Sequence, residues 1–122
     1  MRPRIQSITA NHYEDFETFH PENPTSFAVE IRVMIGAEGG EGEESFDFSV
    51  CTPDWLQAQC DETGYFFAGR RLVVDHWDSS LVRRFLDKRI STIVADSWTE
   101  LAGKISRFSH WEFEDYQETR TA

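Results

Sequence analysis

From Phe27 to Ile35 every second residue is large and apolar, with Phe27, Val29, Ile31, Val33 and Ile35 separated by Ala28, Glu30, Arg32 and Met34. A period of two puts each set on its own face of an extended chain, so the stretch reads as a strand buried on one side. Gly36 to Gly42 follows with four glycines, which supply the positive φ that a chain reversal needs, and Ser45 to Cys51 resumes the alternation with Phe46, Phe48 and Val50 facing inward. A long antiparallel hairpin is therefore the element around which the rest of the chain has to assemble.

The flanking segments fill in an α+β order. Arg4 to Thr9, with Ile5 and Ile8, is a short first strand, and Ala10 to Ser26, rich in acids and aromatics and carrying Pro21 and Pro24, is an ordered loop. After the hairpin, Thr52 and Pro53 are an N-cap and a first-turn proline for a helix over Asp54 to Cys60, which Gly64 helps to end. Phe66 to Trp77 is a further strand, central at Leu72-Val73-Val74. Asp78 caps a helix to about Ala95, with Leu81, Phe85, Leu86 and Ile93 on one face and Arg83, Arg84, Lys88 and Arg89 mostly on the other.

Ser97 and Glu100 form a capping box for a helix to about Arg107. Ser109 to Tyr116 is a last strand, and Gln117 to Ala122 a frayed tail. The order β-β-β-α-β-α-α-β predicts a mostly antiparallel sheet of about five strands with two to three helices packed on one face. At 122 residues, with ten Phe and four Trp to bury, one domain is expected, its core over residues 4–116 or so.

Charge narrows the choice of partner. The formal net charge is −10, and between Asn11 and Glu62 thirteen acids accompany a single base, Arg32, whereas Thr63 to His110 holds five acids and eight bases. Such a surface repels nucleic acid and anionic membranes and attracts a basic protein surface. Met1 to Ala10 has no apolar core of a signal peptide, and no run is long enough to span a membrane. Cys51 and Cys60 stand at the two ends of the expected helix, too far apart for a bridge, so reduced thiols in the cytoplasm are expected.

Catalytic patterns are missing: there is no Gly-x-Ser-x-Gly elbow, phosphate-binding glycine loop, His-Glu-x-x-His or Cys-x-x-Cys. Glu38, Glu41, Glu43 and Glu44 lack the Asp/Asn ladder of a calcium loop and read as a solvated hairpin tip, so no metal or cofactor is expected. His12, His20, His76 and His110 read as surface or structural positions, and Asp75 and His76, adjacent on a strand, point to opposite faces. Cys51 reads as a buried structural thiol. All four tryptophans read first as core, and Trp55 and Trp111, each beside acids, are the two with a contact role also open to them.

Three stretches together resemble the immunity protein 8 family of bacterial polymorphic toxin systems. They are Met34-Ile35-Gly36 with Gly42-Glu43-Glu44-Ser45-Phe46-Asp47, then Val50-Cys51-Thr52-Pro53-Asp54-Trp55-Leu56, and Trp111-Glu112-Phe113-Glu114-Asp115-Tyr116. The chain departs from the family pattern at Asp54, where a basic residue is common. The resemblance implies an antitoxin that binds a cognate toxin domain and leaves the toxin unidentified.

On that footing the candidate contact residues are Glu41, Glu43, Glu44, Trp55, Glu112, Glu114 and Asp115, in a monomer or a homodimer. Gly36, Gly42, Thr52, Pro53, Trp111 and Phe113 have structural roles open to them. Two other classes stay open: an adaptor domain, and an enzyme using Glu112 and Glu114, which would share a strand face.

Overall fold

The structure is a computed structural model that describes residues 1–114. Asp115 and Tyr116, at the end of the expected last strand, and the tail Gln117 to Ala122 lie outside the described residues. Two long strands, β3 (Ala28–Ala37) and β4 (Glu44–Cys51), form the hairpin and pair from Ala28 opposite Cys51 to Ile35 opposite Glu44. The alternating residues land as their period requires: Ile31, Val33, Ile35, Phe46, Phe48 and Val50 are all buried on one face. Each such side chain contributes about 1.5–3 kcal/mol of burial.

On the other edge of β3 lies β1 (Pro3–Ala10), antiparallel, with a bulge between Ile5 and Ser7. The segment expected as loop contains one more strand, β2 (Glu14–Asp15), which folds back so that Thr9 faces Asp15 and Ala10 faces Glu14. Asn11 at φ 45 and His12 at φ 82 make that reversal in the left-handed region, which Asn tolerates better than most residues. The rest of the loop is ordered by Trp77. Phe16, Phe19 and Phe27 meet its indole edge-on at centroid distances of 6.0, 5.2 and 5.6 Å, and its Nε1 donates to the Phe19 carbonyl at 2.9 Å.

After β4 the chain enters α1 (Pro53–Thr63), with Thr52 as N-cap and Gly64 as left-handed C-cap. The Thr52 hydroxyl accepts from the amides of Trp55 and, across the sheet end, of Phe27 at 3.2 Å. The following strand, β5 (Arg71–Val73), is three residues long instead of the expected Phe66 to Trp77 and pairs in parallel with Ser49 to Cys51. The last strand is also shorter than expected: β6 (His110–Trp111) pairs antiparallel with Phe46 and Asp47 before a turn in which the Glu114 amide donates to the Trp111 carbonyl. β5 and β6 share the one eight-residue edge of β4, β6 at Phe46 and Asp47 and β5 at Ser49 to Cys51, so β5 cannot extend backward past Arg70 without meeting β6, while β6 ends where the chain turns after Trp111.

Among the described residues the sheet thus has six strands, antiparallel throughout except at β4–β5. Capped by Asp78, α2 (Ser79–Phe85) passes into a π-helical turn, Leu86–Ile90, and stops short of Ala95. Leu86 and Ile90, at the two ends of this turn, are both buried in the core. In α3 (Trp98–Ile105), Ser97 accepts from the Glu100 amide, and Glu100 reaches back to the amide of Asp96, one residue beyond the box.

These two helices cover the Phe46 and Phe48 face of the sheet, with Phe85 on Phe48 and Trp98 on Phe46. By contrast α1 buries no residue. Its Trp55 packs edge-on against Phe66, and the Arg71 guanidinium lies 5.3 and 5.2 Å from the two ring centroids. Arg71 pairs with Ser49, so this cluster sits at the margin of the opposite, largely open face.

Candidate functional site

The tip of the β3–β4 hairpin is acidic and held tightly. Gly36 approaches the carbonyl of Gly42 so closely that a β-carbon could not fit between them, Arg4 donates to the Gly40 carbonyl at 3.2 Å, and the Glu38 amide bonds Arg2. Beside this neck, Glu41, Glu43 and Glu44 line a depression of about 320 Å³ whose floor includes Trp98. Glu41 and Glu43 are exposed, and among the described residues neither side chain has a hydrogen bond or ion pair.

Three of the other predicted carboxylates have internal partners. Glu44 accepts from Trp111 Nε1 at 2.6 Å. Glu112 accepts from the Ser45 amide at 2.7 Å while its own amide donates to the Ser45 carbonyl. Glu114 pairs with Arg70 through both oxygens and lies beside His110. The Arg70 guanidinium, helped by His110, holds the Glu114 carboxyl below its usual range against the opposing effect of partial burial. The chain turns after Trp111, so Glu112 and Glu114 do not lie side by side on a strand face as expected.

Across the open face runs a further pair. Arg32 on β3 stands opposite Asp47 on β4 and donates Nε and Nη2 to its two oxygens at 2.9 and 3.2 Å, which raises the guanidinium pKa. Arg32 is exposed and Asp47 partly so, and the pair therefore orients the face more than it stabilises it. Asp75 and His76 are in contact after all, at 3.4 Å, because the strand ends at Val73 and they lie in a bend, but both are open to solvent. Cys51 is buried, and desolvation pushes its thiol pKa up; it and Cys60 are free thiols.

Trp55 is far from the acidic tip. The length of β4 separates Glu44 from Cys51 by roughly 23 Å, so the predicted residues fall at two ends of the hairpin and not in one patch. At the Trp55 end lies a groove of about 620 Å³, lined among others by Asn11, Glu14, His20, Glu22, Ala28 and Trp55. Sequence reasoning saw its wall only as an acidic, proline-bearing loop. Near its rim Tyr13 is 90% exposed at the β1–β2 turn, a position that no pattern marked.

The sequence model of the family described as Immunity protein 8 matches residues 4–116. The chain belongs to the immunity protein 8 family. No curated protein and no solved structure matches it. Membership implies neutralisation of a cognate toxin in a polymorphic toxin system. Several residues that carry the family resemblance hold this immunity protein together: Gly36 and Gly42 form the hairpin neck, Thr52 and Pro53 start α1, and Trp111 stacks on Phe46 while binding Glu44. Among the described residues, no helix of the immunity protein is long and apolar enough to cross a membrane, and no three His, Cys, Asp or Glu side chains converge to hold a metal ion.

Proposed function

We propose that this immunity protein neutralises its toxin by stoichiometric occlusion, acting as a binding protein and not as an enzyme, in the reducing cytoplasm that its two free thiols suit. The observation that carries this reading is the state of Glu41 and Glu43. They are exposed charges without partners among the described residues, on a tip fixed by the Gly36–Gly42 approach and the Arg4–Gly40 hydrogen bond. A rigid tip loses little entropy on docking. Glu44, Glu112 and Glu114 support the surface from within, and the predicted contact Asp115 lies outside the described residues.

A toxin with a basic cleft, such as one that handles nucleic acid, presents the complementary potential. The surrounding field accelerates encounter, while a few desolvated contacts set the lifetime of the complex. The test is to co-express the chain with the toxin domain encoded beside its gene, score survival, and look for a complex by size-exclusion chromatography. Survival together with a one-to-one complex is the expected result. Survival without a complex would point to an enzyme, and a complex without survival to an adaptor.

A further inference from the structure

We infer that the groove beside Trp55 seats an extended basic segment of the toxin, added as a short strand to the open edge of β3. The inference rests on the neutralisation reading above and concerns a different end of the molecule from the acidic tip. Its first support is the backbone. β1 leaves β3 at Ala10 opposite Ile31, and the last backbone bond on that side runs from the Asn11 amide to the Glu30 carbonyl at 2.9 Å. Alternate residues of a strand turn their backbone groups to the same side. Ala28, two residues before Glu30, therefore turns its N–H and C=O to the side that β1 has vacated, while Phe27 turns the other way and bonds Thr52. Among the described residues no strand pairs with Ala28 on that side, and Ala28 is exposed and lines the groove. Such an edge accepts a partner strand through its main chain.

The opening is built into the fold. Left-handed Asn11 and His12 divert the chain from β3 into β2, and the far wall is fixed by Trp77, whose Nε1 and amide bond the carbonyls of Phe19 and Pro24. The near wall is Trp55, held between Phe66 and the Arg71 guanidinium. Charge selects the occupant. Glu14 and Glu22 line the groove, Glu30 lies exposed beside it, and Arg32 is the lone base between Asn11 and Glu62 and already faces Asp47. A lysine or arginine on an added strand gains from these carboxylates, away from the Arg71 guanidinium that already covers the Trp55 ring. A second copy of this chain, with the same net charge of −10, and a nucleic acid are both disfavoured.

The test uses the full chain and the toxin domain encoded beside its gene. Amide hydrogen exchange at Ala28 is expected to slow on complex formation. Glu14→Lys combined with Glu22→Lys is expected to weaken binding by about tenfold or more without lowering the melting temperature, because both side chains are exposed and unpaired among the described residues. Ala28→Pro, which removes the groove-facing donor and leaves the β4 side of the ladder intact, is expected to weaken binding as well. If that variant does not fold, the lysine pair decides. Unchanged exchange at Ala28 in a complex that forms, or full affinity in the folded lysine variant, overturns the groove alone. A wild-type chain that neither binds nor protects overturns the neutralisation reading and the groove with it.

Discussion

Trp111 Nε1 donates to Glu44 Oε2 at 2.6 Å, closing a contact between residues 67 positions apart in the chain. It ties the last described strand to the tip end of the hairpin, beside the stacked rings of Trp111 and Phe46. Glu44→Ala leaves the indole donor of a half-buried ring without its acceptor and is expected to cost about 1–2 kcal/mol, read as a lower urea midpoint. Glu44→Gln keeps an acceptor and should cost less. Equal losses for the two variants would mean that the contact adds nothing.

The exposed acids of the tip should behave in the opposite way. Glu41→Lys with Glu43→Lys is expected to leave the melting temperature unchanged and to slow association with the toxin by about tenfold at low salt, an effect that shrinks as salt screens the charges. Stopped-flow rates across a salt series measure this. Rates equal to wild type at low salt would remove the tip from the interface.

Gly36 and Gly42 are predicted to differ in what they tolerate. A β-carbon at Gly36 collides with the backbone carbonyl of Gly42, which cannot move without opening the hairpin, so Gly36→Ala is expected to cost about 2–3 kcal/mol. At Gly42 the space is free and the cost is the left-handed backbone, φ 87, worth about 1 kcal/mol. Denaturant titration that reverses this order would refute the neck geometry.

The acid side of the stability profile follows from Glu114. Its folded pKa lies below the ordinary 4.5, so the unfolded chain binds the proton more tightly. The stabilisation is full above that value and is lost as pH falls below it and through the lower folded pKa. Glu100, held down by the Asp96 amide, and Asp78, held down by Ser80, act in the same direction. Glu114→Gln is expected to be less stable than wild type at pH 7 and to show a shallower loss between pH 5 and 3. A wild-type slope in that variant would mean that the Arg70 pair is not linked to folding.

Much of this architecture was legible residue by residue. The two-residue period of Phe27 to Ile35 and of Phe46 to Val50 named both core faces, and Thr52, Asp78 and Ser97 cap helices where expected. The division of charge marked the acidic half without indicating which acids are available to a partner. Glu43 and Glu44 are neighbours of the same type, yet one is exposed and the other binds an indole from a strand 67 positions away.

What the sequence determined by itself, then, is whatever depends on neighbours along the chain: periodicity, caps, the glycine-rich reversal and the sign of each region's charge. Only the tertiary structure decided how β5 and β6 share one edge of β4, where β1 leaves β3 to open the groove, and which carboxylates are bound internally. The physical reason is that a strand's backbone groups and a carboxylate's lone pairs are satisfied by whichever partner arrives in space. A limited edge is divided among competitors that sequence spacing does not rank.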